Sequence, residues 1–230
     1  LAANTSAVIN AQTVSLGAIT GAEGSTLTLQ GGAYTFSGDI GGNVIFSGSS
    51  MNVSGARNIT GVFTMTGETT VTGGALHVAN GNKLQLTNGA TFNRTENSAF
   101  RLHGGSLEVA QDATATFKSV DDVHFIDNDN GSIDLLSGST LNMNVKSLQY
   151  WKQAEINLGE NATLNLTTSG GVSASGGDAN KKLDINLAAG ATFDAQNSAV
   201  TLNGSSTLTV GSGATAKFKT ASFAADTIID

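Results

Sequence analysis

From Lys83 onward the chain repeats one short phrase, and that repetition limits the folds open to it more than any other feature. The clearest copies run Lys83 to Phe92 (KLQLTNGATF), Leu183 to Phe193 (LDINLAAGATF) and Leu208 to Phe218 (LTVGSGATAKF). Looser copies begin at Leu107 (LEVAQDATATF), Ile133 (IDLLSGSTLNM) and Ile156 (INLGENATLNL). Each pairs an apolar–polar–apolar triplet with a short corner and a second apolar step. The first apolar residues of the triplets, Leu84, Leu107, Ile133, Ile156, Ile185 and Leu208, recur at one base step, which lengthens by three before Ile133 and by six before Ile185. A fixed period with occasional insertions is the mark of one small unit stacked on itself. The period-2 alternation within each triplet makes that unit a set of strands. The expectation is an all-β fold, a single right-handed parallel β-helix of roughly 23 residues per rung and about ten rungs.

Composition fits such a coil. Pro is absent, and a parallel ladder needs nearly every backbone N–H, which Pro lacks. Charged residues are only 13 % while Gly reaches 29 residues, so Ser, Thr, Asn and Gly must clothe the surface. The formal charge of −7 and the lack of any basic run disfavour nucleic acid and anionic membranes as partners. No stretch of 18 apolar residues occurs, so no membrane insertion of this segment is expected. With Cys absent, thiol chemistry and thiolate-metal sites are excluded. The repeat reaches the C-terminal end without a break in composition, so residues 1–230 read as one elongated domain, with 1–26 as an irregular first rung.

Three stretches interrupt the rhythm. Ser119 to Gly131 gathers Asp121, Asp122, Asp127 and Asp129 around His124 and Phe125. Those four carboxylates are a weak Ca²⁺ candidate, since their spacing matches neither an EF-hand loop nor a calcium-binding nonapeptide; a solvated acidic corner is the plainer reading. Ser147 to Gln153 holds the only Trp. Tyr150 and Trp151 are adjacent, so on a strand only one of them turns inward. An outward aromatic on a polar rod either stacks on a sugar or anchors a protein contact, or it caps an irregular rung. Residues 167–182 accumulate Gly and Ser and read as a protruding loop. The candidate ligand-binding residues are therefore Tyr150, Trp151, Lys152, Asp178, Asn180 and Lys181.

Signals for catalysis are thin. His77, His103 and His124 follow one another at close to the length of a rung, which can stack them on successive turns, but none has a nucleophile elbow beside it. Carboxylate pairs can be assembled from Glu96, Glu108, Asp112, Asp134, Glu155 or Glu160, as in any acidic solenoid. Arg57, Arg94 and Arg101 are the only arginines, too few to surround a polyuronate. No catalytic residue and no cofactor is expected.

The phrase, the Gly-rich corners, the missing Cys and Pro and the acidic Ser/Thr/Asn-rich surface together resemble the β-helical passenger regions of type V secretion proteins of Gram-negative bacteria. These are the autotransporters and the two-partner secreted, filamentous-haemagglutinin-like adhesins. The resemblance covers about Leu27 to Ile229 and is one of style, with no motif that singles out a member. It implies a fragment of a larger secreted protein, extracellular or on the bacterial cell surface. The implied role is adhesion, with a host-cell surface glycan or protein as partner, or self-association. The alternatives are a structural spacer and, behind it, a carbohydrate-active β-helix enzyme.

Overall fold

A computed structural model describes residues 1–125, 130–177, 181–224 and 228–229. The chain winds as a parallel β-solenoid with three strand-bearing faces per turn. Strands pair in parallel with the strands one turn before and after them, and those at the two ends pair on one side. On the first face, Ala7, Leu27, Val44, Phe63, Leu84, Leu107, Ile133, Ile156, Ile185, Leu208 and Ile229 lie in one unbroken register. On the second, Phe92, Phe117, Met143 and Leu166 stack, the two Phe rings nearly parallel with centroids 4.5 Å apart. The third carries Ile40, Ile59, Val78, Leu102, Phe125, Tyr150 and Ala174.

Alternation decides which side chains enter the core. Strands such as Lys83–Leu86 and Gln153–Leu158 bury every second residue, and these residues fill one continuous column inside the coil. The coil makes about nine turns of about 23 residues. Both values are close to the roughly 23 residues per rung and about ten rungs expected. Before Leu84 the turns are shorter, and single strands bend across corners: Ile40–Val53 runs over all three faces, with Gly42 at φ 74° making one bend. The opening residues supply the strands Ser6–Asn10 and Thr13–Leu16, both in register with Thr26–Phe36.

The phrase itself is a turn. In all six copies an N–H three residues on closes the corner, as in Ala90 to the Thr87 carbonyl (3.0 Å), Ala162 to Gly159 (3.0 Å) and Ala191 to Ala188 (3.1 Å). The third corner residue is left-handed each time: Gly89, Asp112, Gly138, Asn161, Gly190 and Gly213 have φ between 56° and 77°. Successive corners also bond to each other, Gly138 N–H to the Glu160 carbonyl (2.8 Å) and Asn161 N–H to Ala189 (3.0 Å). These bonds satisfy backbone polar groups of the corner that would otherwise lie unpaired against the core. Among the described residues no helix is long and apolar enough to cross a membrane.

Candidate functional site

The three interruptions meet at one corner. Val123–Phe125, Leu148–Tyr150 and Val172–Ala174, the third-face strands within the three interruptions, are register neighbours, and each ends where the third face passes to the first. Residues 167–182 are therefore not a loop throughout. Thr167 and Thr168 end a second-face strand, Gly171 at φ 83° makes the corner, and Val172–Ala174 returns to the third face with Val172 and Ala174 buried. A 3-10 turn, Ser175–Gly177, follows Ala174.

Tyr150 and Trp151 divide as neighbours on a strand must. Tyr150 is fully buried; its hydroxyl donates to the Thr201 carbonyl (2.8 Å) and accepts from the Asn203 N–H (3.1 Å), and burial pushes its pKa up. Trp151 is 42 % exposed, and its backbone N–H ties it to the ladder at the Phe125 carbonyl (2.9 Å). The His124 ring lies 6.0 Å from it and tilted, and Lys181 Nζ lies 5.7 Å from the ring centroid while donating to the Ser175 carbonyl. Three consecutive turns thus contribute one side chain each to an aromatic and cationic cluster. The Lys181 contact adds on the order of 0.5–1 kcal/mol of cation–π attraction at such exposure. Lys152 accepts the Lys182 N–H at its carbonyl (2.7 Å), so its backbone holds the corner closed. Asp178 and Asn180 lie outside the described residues, as do Asp127 and Asp129.

Asp121 and Asp122 sit at the preceding corner, between the second and third faces. Asp121 faces Lys146 Nζ at 3.5 Å; Asp122 accepts the Ser147 hydroxyl (2.7 Å) and stands 3.7 Å from both Lys146 Nζ and His124 Nε2. The carboxylates are turned towards a cation, a hydroxyl and an imidazole, which satisfies them within the protein. Among the described residues no group of three His, Asp or Glu side chains is placed to hold a metal ion.

The third face carries an outward ladder of Asn58, His77, Arg101, His124, Gln149 and Ser173. His77 and His124 share this column, while His103 stands two residues along the strand and stacks on His77 at 4.7 Å. Burial, and then the neighbouring His103 and Arg101, bring the His77 pKa down to about 4. Burial lowers that of His124 as well, against the opposing pull of Asp122. Both imidazoles are neutral near pH 7.

Sequence reasoning missed Arg94. It occupies an inward position of Thr91–Arg94, fully buried, and its Nη2 donates to the Gly73 carbonyl (3.2 Å) and to that of Gly74. The signal was available: in TFNR the alternation that buries Phe92 buries Arg94 too. Of the six acidic residues considered for pairing, only Glu108, Asp134 and Glu155 share a face, the first, where Glu108 and Asp134 are register neighbours. Glu96 instead accepts the Gly73 N–H (2.7 Å), and Asp112 and Glu160 belong to phrase corners. Comparison with known proteins finds no matching family model, no matching curated protein and no matching solved structure.

Proposed function

We propose that this chain is a segment of a bacterial surface adhesin of the type V secretion kind, extracellular, whose right-handed coil presents a lateral corner to a host-cell glycan or protein. The observation that carries this reading is the cluster of Trp151, His124 and Lys181, which gathers an exposed aromatic and a cation at the one corner where the three interruptions of the phrase meet. An exposed indole offers a flat apolar face with a polar edge, and such side chains dominate binding where they occur. The rest of the rod is polar and weakly charged, and the reading gives it no catalytic role and no cofactor.

Binding to cultured host cells and to a glycan array tests the placement. Trp151→Ala and Lys181→Ala are expected to reduce binding about tenfold or more, the scale set by losing a central aromatic contact. Unchanged binding by both variants would remove the corner from consideration. The unbroken register of the first face favours a second reading, a spacer or self-associating rod. A folded chain that binds no cell, glycan or matrix protein would establish that reading instead.

A further inference from the structure

We propose a second binding site, a groove along the end of the first face that takes an extended neutral β-linked glycan lying parallel to the rod axis. The groove is about 660 Å³ and runs from Glu108 to Thr209. One wall is a column of outward side chains in strict register, Glu108, Asp134, Asn157, Asn186 and Thr209. Its other wall is the start of the phrase corner, where Leu136, Gly159 and Ala188 follow the buried Leu135, Leu158 and Leu187.

The corner column explains why a groove exists. A Cβ at Gly159 would lie 2.8 Å from the Ser137 nitrogen and 3.1 Å from the Leu135 oxygen, so close approach of the preceding turn holds this position to glycine. Ala188 and Gly211 continue the column with little bulk, and Gly211 is held by the same kind of contact, 2.8 Å to the Leu187 oxygen. Leu136 alone is large here, and it is 40 % exposed and stands outside the core column. A sugar ring has apolar C–H faces and equatorial hydroxyl edges, which match an apolar wall opposite a polar one.

The polar wall is ordered before any ligand arrives. Asn186 Nδ2 donates to Asn157 Oδ1 (2.8 Å), and Asn157 Nδ2 donates to Asp134 Oδ1 (2.9 Å). Ser132 donates to the other Asp134 oxygen (2.7 Å), and Gln85 and Lys83 hold Glu108 (2.7 and 2.6 Å). These bonds fix planar amide and carboxylate groups at each turn, about 4.8 Å apart. An extended β-1,4-linked hexose chain advances by close to that spacing per sugar with each ring turned over relative to the last, so equivalent hydroxyls meet the wall at every second turn. Side chains already held in place lose little entropy on binding.

Charge selects among glycans. The first face carries Glu108, Asp134, Glu155 and Asp184 against Lys83 and Lys182, which repels a polyuronate or a sulfated chain. The carboxylates are engaged by hydroxyl, amide and ammonium groups, and this leaves hydrogen bonding to neutral hydroxyls as the recognition chemistry.

The site lies at the opposite edge of the first face from Trp151, so the two readings fail separately. Calorimetric titration of the whole chain with cellohexaose and with chitohexaose tests it, with a galacturonate hexamer as the charged control. At least one neutral hexamer is expected to bind and the galacturonate hexamer not to. Leu136→Ser and the double change Asn157→Ala/Asn186→Ala should each weaken binding about tenfold or more. Circular dichroism confirms folding of each variant, and Leu136→Ser, at an exposed position, keeps the test valid if the double variant fails to fold. Absence of binding to both neutral hexamers, equal binding to galacturonate, or undiminished binding by Leu136→Ser would each overturn the proposal.

Discussion

Asp112 and Asn161 hold φ of 56° and 57° at positions where the other copies of the phrase use Gly. A short polar side chain tolerates this left-handed geometry better than any other non-Gly residue, because it can bond locally. The equivalence of Gly, Asp and Asn in the phrase is therefore conformational, and it accounts for the looser spelling of the Leu107 and Ile156 copies. The glycines themselves are not equivalent. Gly89 has open space where a Cβ would stand, whereas a Cβ at Gly138 would fall 2.2 Å from Asp112 Oδ1. Gly89→Ala is expected to cost about 1–2 kcal/mol, the left-handed strain alone. Gly138→Ala should cost more, because it also displaces the Asp112 carboxylate, and Gly138→Ala combined with Asp112→Gly should recover the difference. Urea unfolding of the three variants checks this.

At the scale of the element, the outward ladder of the third face sets an acid limit on stability. The folded His77 titrates at about 4 against an ordinary value of 6.5. Between those pH values the unfolded chain takes up a proton that the folded chain refuses, so stability falls as pH drops from 6.5 towards 4 and this contribution levels off below the folded value. His124, lowered in the same direction, adds to the fall. Asp39, lowered below 3.8 by the Asn58 backbone and side-chain bonds, contributes stability above that value that is lost as pH falls further. His77→Gln is expected to flatten the stability profile between pH 6.5 and 4, as thermal unfolding across that range would reveal; an unchanged slope would contradict the burial assigned to the ring. The ladder was only half legible in the chain. Spacings close to one rung suggest stacked histidines, but register puts Arg101, not His103, between His77 and His124. A small difference in where a strand begins decides which side chains share a column, and periodicity alone does not report it.

Across the whole molecule each turn touches only its neighbours, so stability should be graded along the rod. Central strands such as Gln153–Leu158 bury alternate residues completely, while Ser6–Asn10 and Thr215–Phe223 at the two ends leave theirs half-buried or exposed. Native-state hydrogen exchange should find the highest protection between about Leu84 and Leu166 and the lowest in the two end strands. Uniform protection would instead indicate one cooperative unit.

The sequence by itself determined the strand period, the inward residues of each triplet and the corners of the phrase, because those depend on local alternation and on backbone angles that few residue types accept. It also determined that one of Tyr150 and Trp151 had to face outward. Which three turns would gather at one corner, which acidic residues would share a face, and that Leu136 would stand beside a groove were decided only by the tertiary structure. Residues a whole turn apart in the chain become neighbours through the register of the coil, and periodicity alone does not report which side chains of successive strands that register pairs.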